Sequence, residues 1–181
     1  SFNTLGCVST DKIVKNLLTA FTRRMRDEQG VKFQTVLFQP EAPDYEGIIG
    51  VENAVTDTDC PQSAAVYWTT GAQAGCAVNR SVQNMRYTGE FSLDVSMTQA
   101  QLTAALQTGK FVFHRVGDEI RVLDDINTLT TFTEAKKEDF ASNQTVRVLD
   151  QIGNDVAVLF GTKYLGQIPN DNAGRISFWS D

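Results

Sequence analysis

The chain has a single histidine, His114, among 181 residues. A nucleophile working with a base needs a histidine or its equivalent at hand. His114 instead lies in the strand-forming run Phe113-His114-Arg115-Val116, and no Gly-x-Ser-x-Gly elbow occurs. Three cysteines, Cys7, Cys60 and Cys76, are odd in number, widely spaced and free of CxxC or Cys/His patterning. That argues against a zinc site and against a disulfide framework, and suits a reducing cytoplasm. Basic residues are outnumbered, 16 against 22, for a net charge of −6, so the chain as a whole offers nucleic acid no electrostatic foothold. No apolar run reaches the roughly 18 residues that a membrane helix requires, and no signal-peptide pattern is present. Gly161-Thr162-Lys163 lacks the upstream glycine of a phosphate loop. No cofactor signature remains.

Hydrophobic residues at 41% and charged residues at 21% are ordinary for a globular chain, long enough here for one large domain or two small ones. The spacing predicts a first helix over residues 11–28, capped by Ser9 or Thr10, with Asp11 in its first turn. Its apolar stripe is Ile13, Val14, Leu17, Leu18, Phe21 and Met25, and Gly30 closes it. The basic cluster Arg23, Arg24 and Arg26 reads as a solvated or subunit-facing helix end. A strand follows over 31–38, then a proline-bearing loop over 39–44 and a short buried strand over 47–51. Asp57, Thr58 or Asp59 would cap a small-residue helix over 62–77, in which the glycines Gly71 and Gly75 would let another backbone approach and Cys76 would be a small buried residue. Phe91, Leu93 and Val95 alternate as a strand. Thr98 and Gln101 form a capping box for a helix that Gly109 ends. The longest helix is expected over 142–164, with Thr145, Val148, Leu149, Ile152, Val156, Leu159, Phe160 and Lys163 on one face and Gly153 marking a close contact. Asn79 and Asn143 match glycosylation acceptor patterns, which matter only in a secreted eukaryotic protein.

Between the last two helices, Lys110 to Thr133 reads as a β-hairpin leading into an acidic, Thr-rich loop. Phe111, Phe113 and Arg115 share one face, and Val112, His114 and Val116 the other. Gly117-Asp118 is the two-residue turn. Asp124-Asp125 is the only carboxylate pair worth weighing, but adjacent residues of an extended segment diverge, so Asp125-Ile126-Asn127-Thr128 reads as a side-chain-stabilised turn. The chain begins at Ser1, and Phe178-Trp179-Ser180-Asp181 reads as the first turn of a further helix. The sequence therefore reads as a fragment of a longer protein.

Four segments together resemble contractile tail sheath proteins of bacteriophages, prophages and phage-tail-like bacteriocins. They are FNTLGC with FTRRMRDEQGVKFQTVL, AAVYWTTGAQAGCAVNRSVQNMRYTG, GKFVFHRVGDEIRVLDDINTLTTFT, and VRVLDQIGNDVAVLFGTKYLGQIPNDNAGRISFW. The likeness covers nearly the whole chain and is nearest to sheaths of prophages from Gram-positive bacteria. It implies an α/β fold, a mixed sheet flanked by helices. Residues 1–105 would be the latter part of a subtilisin-like domain, and residues 106–181 a C-terminal domain that stops before its terminal arm. It implies a structural subunit with no enzymatic activity, stacked in hexameric rings around a tail tube and contracting to drive that tube through a cell envelope. The partners are further copies and the tube protein, with no nucleic acid and no membrane insertion. The place is a virion tail or phage-tail-like particle, assembled in the bacterial cytoplasm. Arg23, Arg24, Lys136, Lys137, Glu138 and Asp139, with Asp44 and Glu46, are the candidate charges for interfaces that are remade on contraction. Two other readings stay open: an α/β hydrolase of subtilisin-like topology with His114 in a concave site, and a module with a small-molecule pocket.

Overall fold

A computed structural model describes residues 2–180. Its centre is a parallel sheet of β1 (Thr4–Cys7), β2 (Gln34–Phe38), β3 (Ile48–Val51) and β4 (Lys110–Phe111), in that spatial order. The register pairs Thr4 with Gln34, Thr35 with Ile48 and Gly50 with Lys110. All five residues of β2 and all four of β3 are buried, as expected of parallel strands covered on both faces. On one face lies α1 (Lys12–Asp27), with a small cluster of Leu37, Tyr45 and Ile48 beneath it. On the other lies α2 (Ala65–Gly75), above the main core of Val36, Phe38, Ile49, Val51, Ala65, Val66, Phe111 and Phe113.

The expected hairpin forms, but not as one unbroken strand. The chain leaves the parallel sheet at Val112 and enters a separate antiparallel pair, β5 (Phe113–Val116) and β6 (Glu119–Val122), with Phe113 opposite Val122. The expected mixed sheet is thus a parallel sheet plus a detached hairpin. Asn53 fixes the crossing point: its Oδ1 accepts from the Phe113 amide at 2.7 Å and its Nδ2 donates to the Phe113 carbonyl at 3.0 Å. Gly117 takes the positive φ of 59° that the turn requires. The alternation holds at its centre, since Phe111 and Phe113 enter the main core while Val112 packs with Leu102 and Ala105 of α3 (Gln99–Gln107). The Thr98–Gln101 capping box is present, with Gly109 at φ 68° just beyond the helix. Residues 105 and 106 both lie inside α3.

Several local expectations are corrected. Asp11 caps α1 itself, accepting from the Ile13 amide at 2.7 Å, while Ser9 supports the Asp11 amide. β1 was not expected; it is four residues long and carries Gly6. A Cβ at Gly6 would lie 2.2 Å from Thr70 Oγ1, so the close approach to α2 occurs here rather than at Gly71 or Gly75, whose surroundings are open. Gly153 is open as well. None of Asp57, Thr58 or Asp59 caps α2; Asp57 accepts from the Ser92 amide at 2.6 Å instead. That contact belongs to a single bridge between Val55 and Leu93, which replaces the expected strand over 91–95. Cys76 is half-buried at the end of α2 rather than buried, and all three cysteines are free thiols.

After β6 the chain passes a 3-10 turn (Glu138–Ala141) into α4 (Asn143–Leu159), capped by Ser142. The expected helix over 142–164 is α-helical only to Leu159; its last turn, Phe160–Tyr164, widens to π geometry. α5 (Asn172–Ser180) folds back so that Phe178 meets Phe160 at 5.7 Å and Tyr164 at 5.0 Å. Residues 178–180 therefore belong to a helix that has begun at Asn172 and are not its first turn; Asp181 lies outside the described residues.

Candidate assembly surfaces

In two helices polar residues take the most inward positions, and only part of the apolar stripe that their periodicity marks is turned toward the sheet body. In α1 the inward residues are Lys15, Thr22 and Arg26, while Ile13 and Leu17 are 77% and 67% exposed. The inward polar groups are all satisfied. Lys15 Nζ donates to the carbonyls of Phe38 and Gln39 at 3.2 and 3.0 Å, capping the end of β2. Thr22 and Thr35 share a hydroxyl contact of 2.7 Å. In α4 the inward residues are Asn143, Val146, Arg147 and Asp150, at helical spacing, while Leu149, Ile152 and Val156 face out. Burying one such side chain stabilises by ~1.5–3 kcal/mol. These stripes therefore leave several contacts of that size unmade, and contiguous exposed apolar patches mark interaction surfaces.

The inward stripe of α4 meets the body through charge and amide groups. Asp124 Oδ1 accepts from the Asp125 amide at 2.8 Å, and Asn127 Oδ1 accepts from the Leu129 amide at 3.0 Å, so the acidic corner is the side-chain-stabilised turn expected. Its missed feature is the role of Asp125, which is 3% exposed. This carboxylate accepts from Gln73 Nε2 (2.7 Å), Asn143 Nδ2 (2.9 Å), Ser81 Oγ (3.0 Å), the Val82 amide (3.1 Å) and Arg147 (3.3 Å). Asn143 also joins β2 by accepting from Gln34 Nε2 at 3.0 Å. Fully buried, it is closed to glycosylation. One turn further, Arg26 of α1 grips Asp150 in a two-bond fork of 2.6 and 2.9 Å and donates to the Phe33 carbonyl at 2.6 Å. Burial of Arg26 disfavours its charge, but the hydrogen bonds and charge of Asp150 outweigh this and raise its pKa.

The candidate charges divide into two groups. Arg23 donates to the Pro43 carbonyl at 2.8 Å, with its guanidinium 4.6 Å from the Tyr45 ring centre. Lys136 lies 5.4 Å from the same ring and 2.5 Å from the buried Glu46. Burial and the Asp27 contact push the Tyr45 hydroxyl upward in pKa. Arg23 and Lys136 thus have their partners within the chain. Arg24, Lys137, Glu138 and Asp139 are exposed and make no ion pair among the described residues.

Asp44, at φ 46°, accepts from the amides of Thr130 and Thr131 at 2.7 and 2.9 Å. Hydrogen bonds from Thr131 and then Thr130 hold its pKa at about 2, against an ordinary 3.8. The folded value lies below the unfolded one, so this contribution is complete above pH 3.8 and is lost as pH falls toward 2. Carboxyl NMR titration should give a midpoint near 2 for Asp44; a midpoint near 3.8 would show that the tie is not made in solution.

His114 is half-buried on β5, opposite Arg121, whose guanidinium is held by Glu119 at 2.7 Å. Among the described residues it has no hydrogen-bonded acid or nucleophile beside it, so the hydrolase alternative has no support. Among them too, no three metal-ligating side chains converge, and no helix is long and apolar enough to cross a membrane.

Residues 1–128 match the family model described as phage tail sheath protein central domain, and residues 135–181 the model of the phage tail sheath C-terminal domain. The phage-like element PBSX protein XkdK of Bacillus subtilis is 36% identical, over 79% of this chain and 32% of its own. A tail sheath protein of Clostridium phage phiCD119 is 29% identical, over 98% of this chain and 50% of its own. The crystal structure of a sheath tail protein from Desulfitobacterium hafniense superposes with a TM-score of 0.90 and 41% identity, covering 99% of this chain and 43% of that one. The helical sheath of the anti-feeding prophage in its contracted state shares the fold, with a TM-score of 0.66 at 13% identity over 95% of this chain and 50% of that one. The chain spans between about a third and half of the length of these proteins. With both domain models matched, in order and over most of its length, the chain belongs to the phage tail sheath protein family.

Proposed function

We propose that this chain is the core of a structural subunit of a contractile tail sheath, in a phage or phage-like particle. Copies would stack as hexameric rings around a tail tube, assemble in the bacterial cytoplasm, and contract to drive the tube through a cell envelope. The subunit would act without catalysis, through interfaces that are remade. The observation carrying this reading is the likeness to the Desulfitobacterium sheath tail protein over 99% of the chain. The outward apolar stripes of α1 and α4 support it, because they supply contact surface for neighbours. The parallel sheet, with α1 on one face and α2 on the other, favours a subtilisin-like topology for the first part. The division between the two parts is better drawn after the hairpin than at residues 105/106, because β4 completes the parallel sheet.

Electron microscopy of the protein tests the reading. Helical or tubular polymers are expected, and persistent monomers at high concentration would sink it. Of the candidate charges, Arg24, Lys137, Glu138 and Asp139 are the ones free to act between copies. Reversing Lys137 and Asp139 together should shorten or abolish polymers while leaving the fold unchanged by circular dichroism. Polymers of ordinary length would remove those two residues from the interface.

A further inference from the structure

From the geometry we infer that Arg26–Asp150 is a latch, setting the angle at which the α4–α5 arm leaves the sheet body and able to open without unfolding that body. The inference rests on the sheath reading for its purpose, but on the joint itself for its support.

Three observations converge on it. First, the arm is docked mainly by polar groups, with Val146 the buried apolar side chain of α4. None of the three apolar clusters among the described residues contains a residue of α4. The side-chain ties include Asn143 to Asp125, Gln34 and the Ile126 carbonyl, Arg147 to Asp125 and Gln73, and Asp150 to Arg26. Polar joints between parts of one chain permit relative motion unless they are large and apolar. Second, Arg26–Asp150 is the outermost tie along α4. Residues 151–158 beyond it are all exposed in this chain, and among the described residues no side-chain hydrogen bond or ion pair from them reaches the sheet body. Third, the body does not depend on that tie for its own closure. Arg26 keeps the Phe33 carbonyl as a partner when Asp150 leaves. The sheet faces are closed by their own clusters, around Phe111 and Phe113 on one side and Leu37 and Ile48 on the other. The two side chains are 5% and 16% exposed. Water is therefore largely excluded while the fork is closed, and each group gains solvation when it opens. Within the sheath reading, such a joint would let the arm take a second angle while interfaces between copies are remade.

Hydrogen exchange read by mass spectrometry on the protein and its Asp150→Asn variant tests the latch. Amides of α4 are expected to exchange on the order of tenfold faster in the variant, with those of β2 and β3 unchanged within about twofold. Asp155→Asn, one turn out and bonded only to Gln151 at 2.7 Å, should alter neither. Unchanged exchange in α4 would overturn the latch. Equal acceleration in α4, β2 and β3 would overturn it too, by making the pair part of the global fold. Both readouts come from the subunit alone. A protein that never polymerises would sink the sheath reading and leave this result standing.

Discussion

Replacing Asp125 with alanine should lower the free energy of unfolding by about 3–5 kcal/mol, the range for stripping one partner from a buried ion pair. The size follows from what is left behind. Gln73 is 2% exposed and Asn143 fully buried; Gln73 loses the acceptor of its side-chain amide, and Asn143 is left with the Ile126 carbonyl alone for its own. The Arg147 side chain is only 10% exposed, and its charge would keep just the neutral acceptors Gln73 Oε1 at 2.9 Å and two backbone carbonyls at 3.4–3.5 Å. The Val82 amide also loses its partner. Each buried donor left unmade costs about 1–3 kcal/mol, and the cavity around the missing carboxylate admits water only in part. Urea unfolding followed by tryptophan fluorescence measures the loss. A change under about 0.5 kcal/mol, the range of ordinary surface substitutions, would show that the cluster is solvated and does not fix the arm. Asp125→Asn should fall between these limits, because the amide offers one acceptor oxygen where the carboxylate offers two.

That cluster was the least legible part of the chain, and the reason is distance in sequence. Asp125 stands 52 residues from Gln73, 18 from Asn143 and 22 from Arg147, and no local pattern ties them. Features set by short-range chemistry were readable. β3, the Thr98–Gln101 capping box, the Gly117 turn and the Asn127 corner each depend on residues a few positions apart. Hydrophobic periodicity located α1 and α4 as helices but assigned their faces only in part: Val14, Leu18, Met25 and Val148 are half-buried, while Ile13, Leu17, Leu149, Ile152 and Val156 are exposed. A stripe of Ile13, Leu17 and Phe21 says that the helix is amphipathic; it does not say whether the apolar side meets its own sheet or something beyond the chain. The polar residues held the complementary signal. Lys15, Thr22 and Arg26 recur at spacings of seven and four, and Asn143, Arg147 and Asp150 at four and three, so each set forms one helix face. The two sets meet at Arg26–Asp150. The alternation of Phe91, Leu93 and Val95 was real but insufficient, since only Leu93 found a bridge partner.

Where the chain passes from the parallel sheet into the hairpin, everything turns on Phe113. Phe113→Ala should therefore destabilise the protein by about 3–5 kcal/mol, as for other fully buried aromatic side chains cut to alanine. The ring has no solvent exposure. It meets Trp68 at 5.5 Å, Tyr87 at 5.5 Å and Phe111 at 5.6 Å, all edge to face. Such pairs contribute about 0.5–1.5 kcal/mol beyond the area they bury. Collapse into the gap is hindered because Asn53 holds both backbone polar groups of Phe113 and so keeps the strand in place. The void therefore persists, and its cost adds to the lost transfer energy. Chemical denaturation gives the magnitude, and the emission of Trp68 gives the location, shifting to longer wavelength as water reaches its ring. Phe132→Ala, at a side chain 47% exposed, is the matched control and should change stability by no more than about 0.5 kcal/mol. Equal losses at Phe113 and Phe132 would show that the aromatic cluster is not the centre of the core.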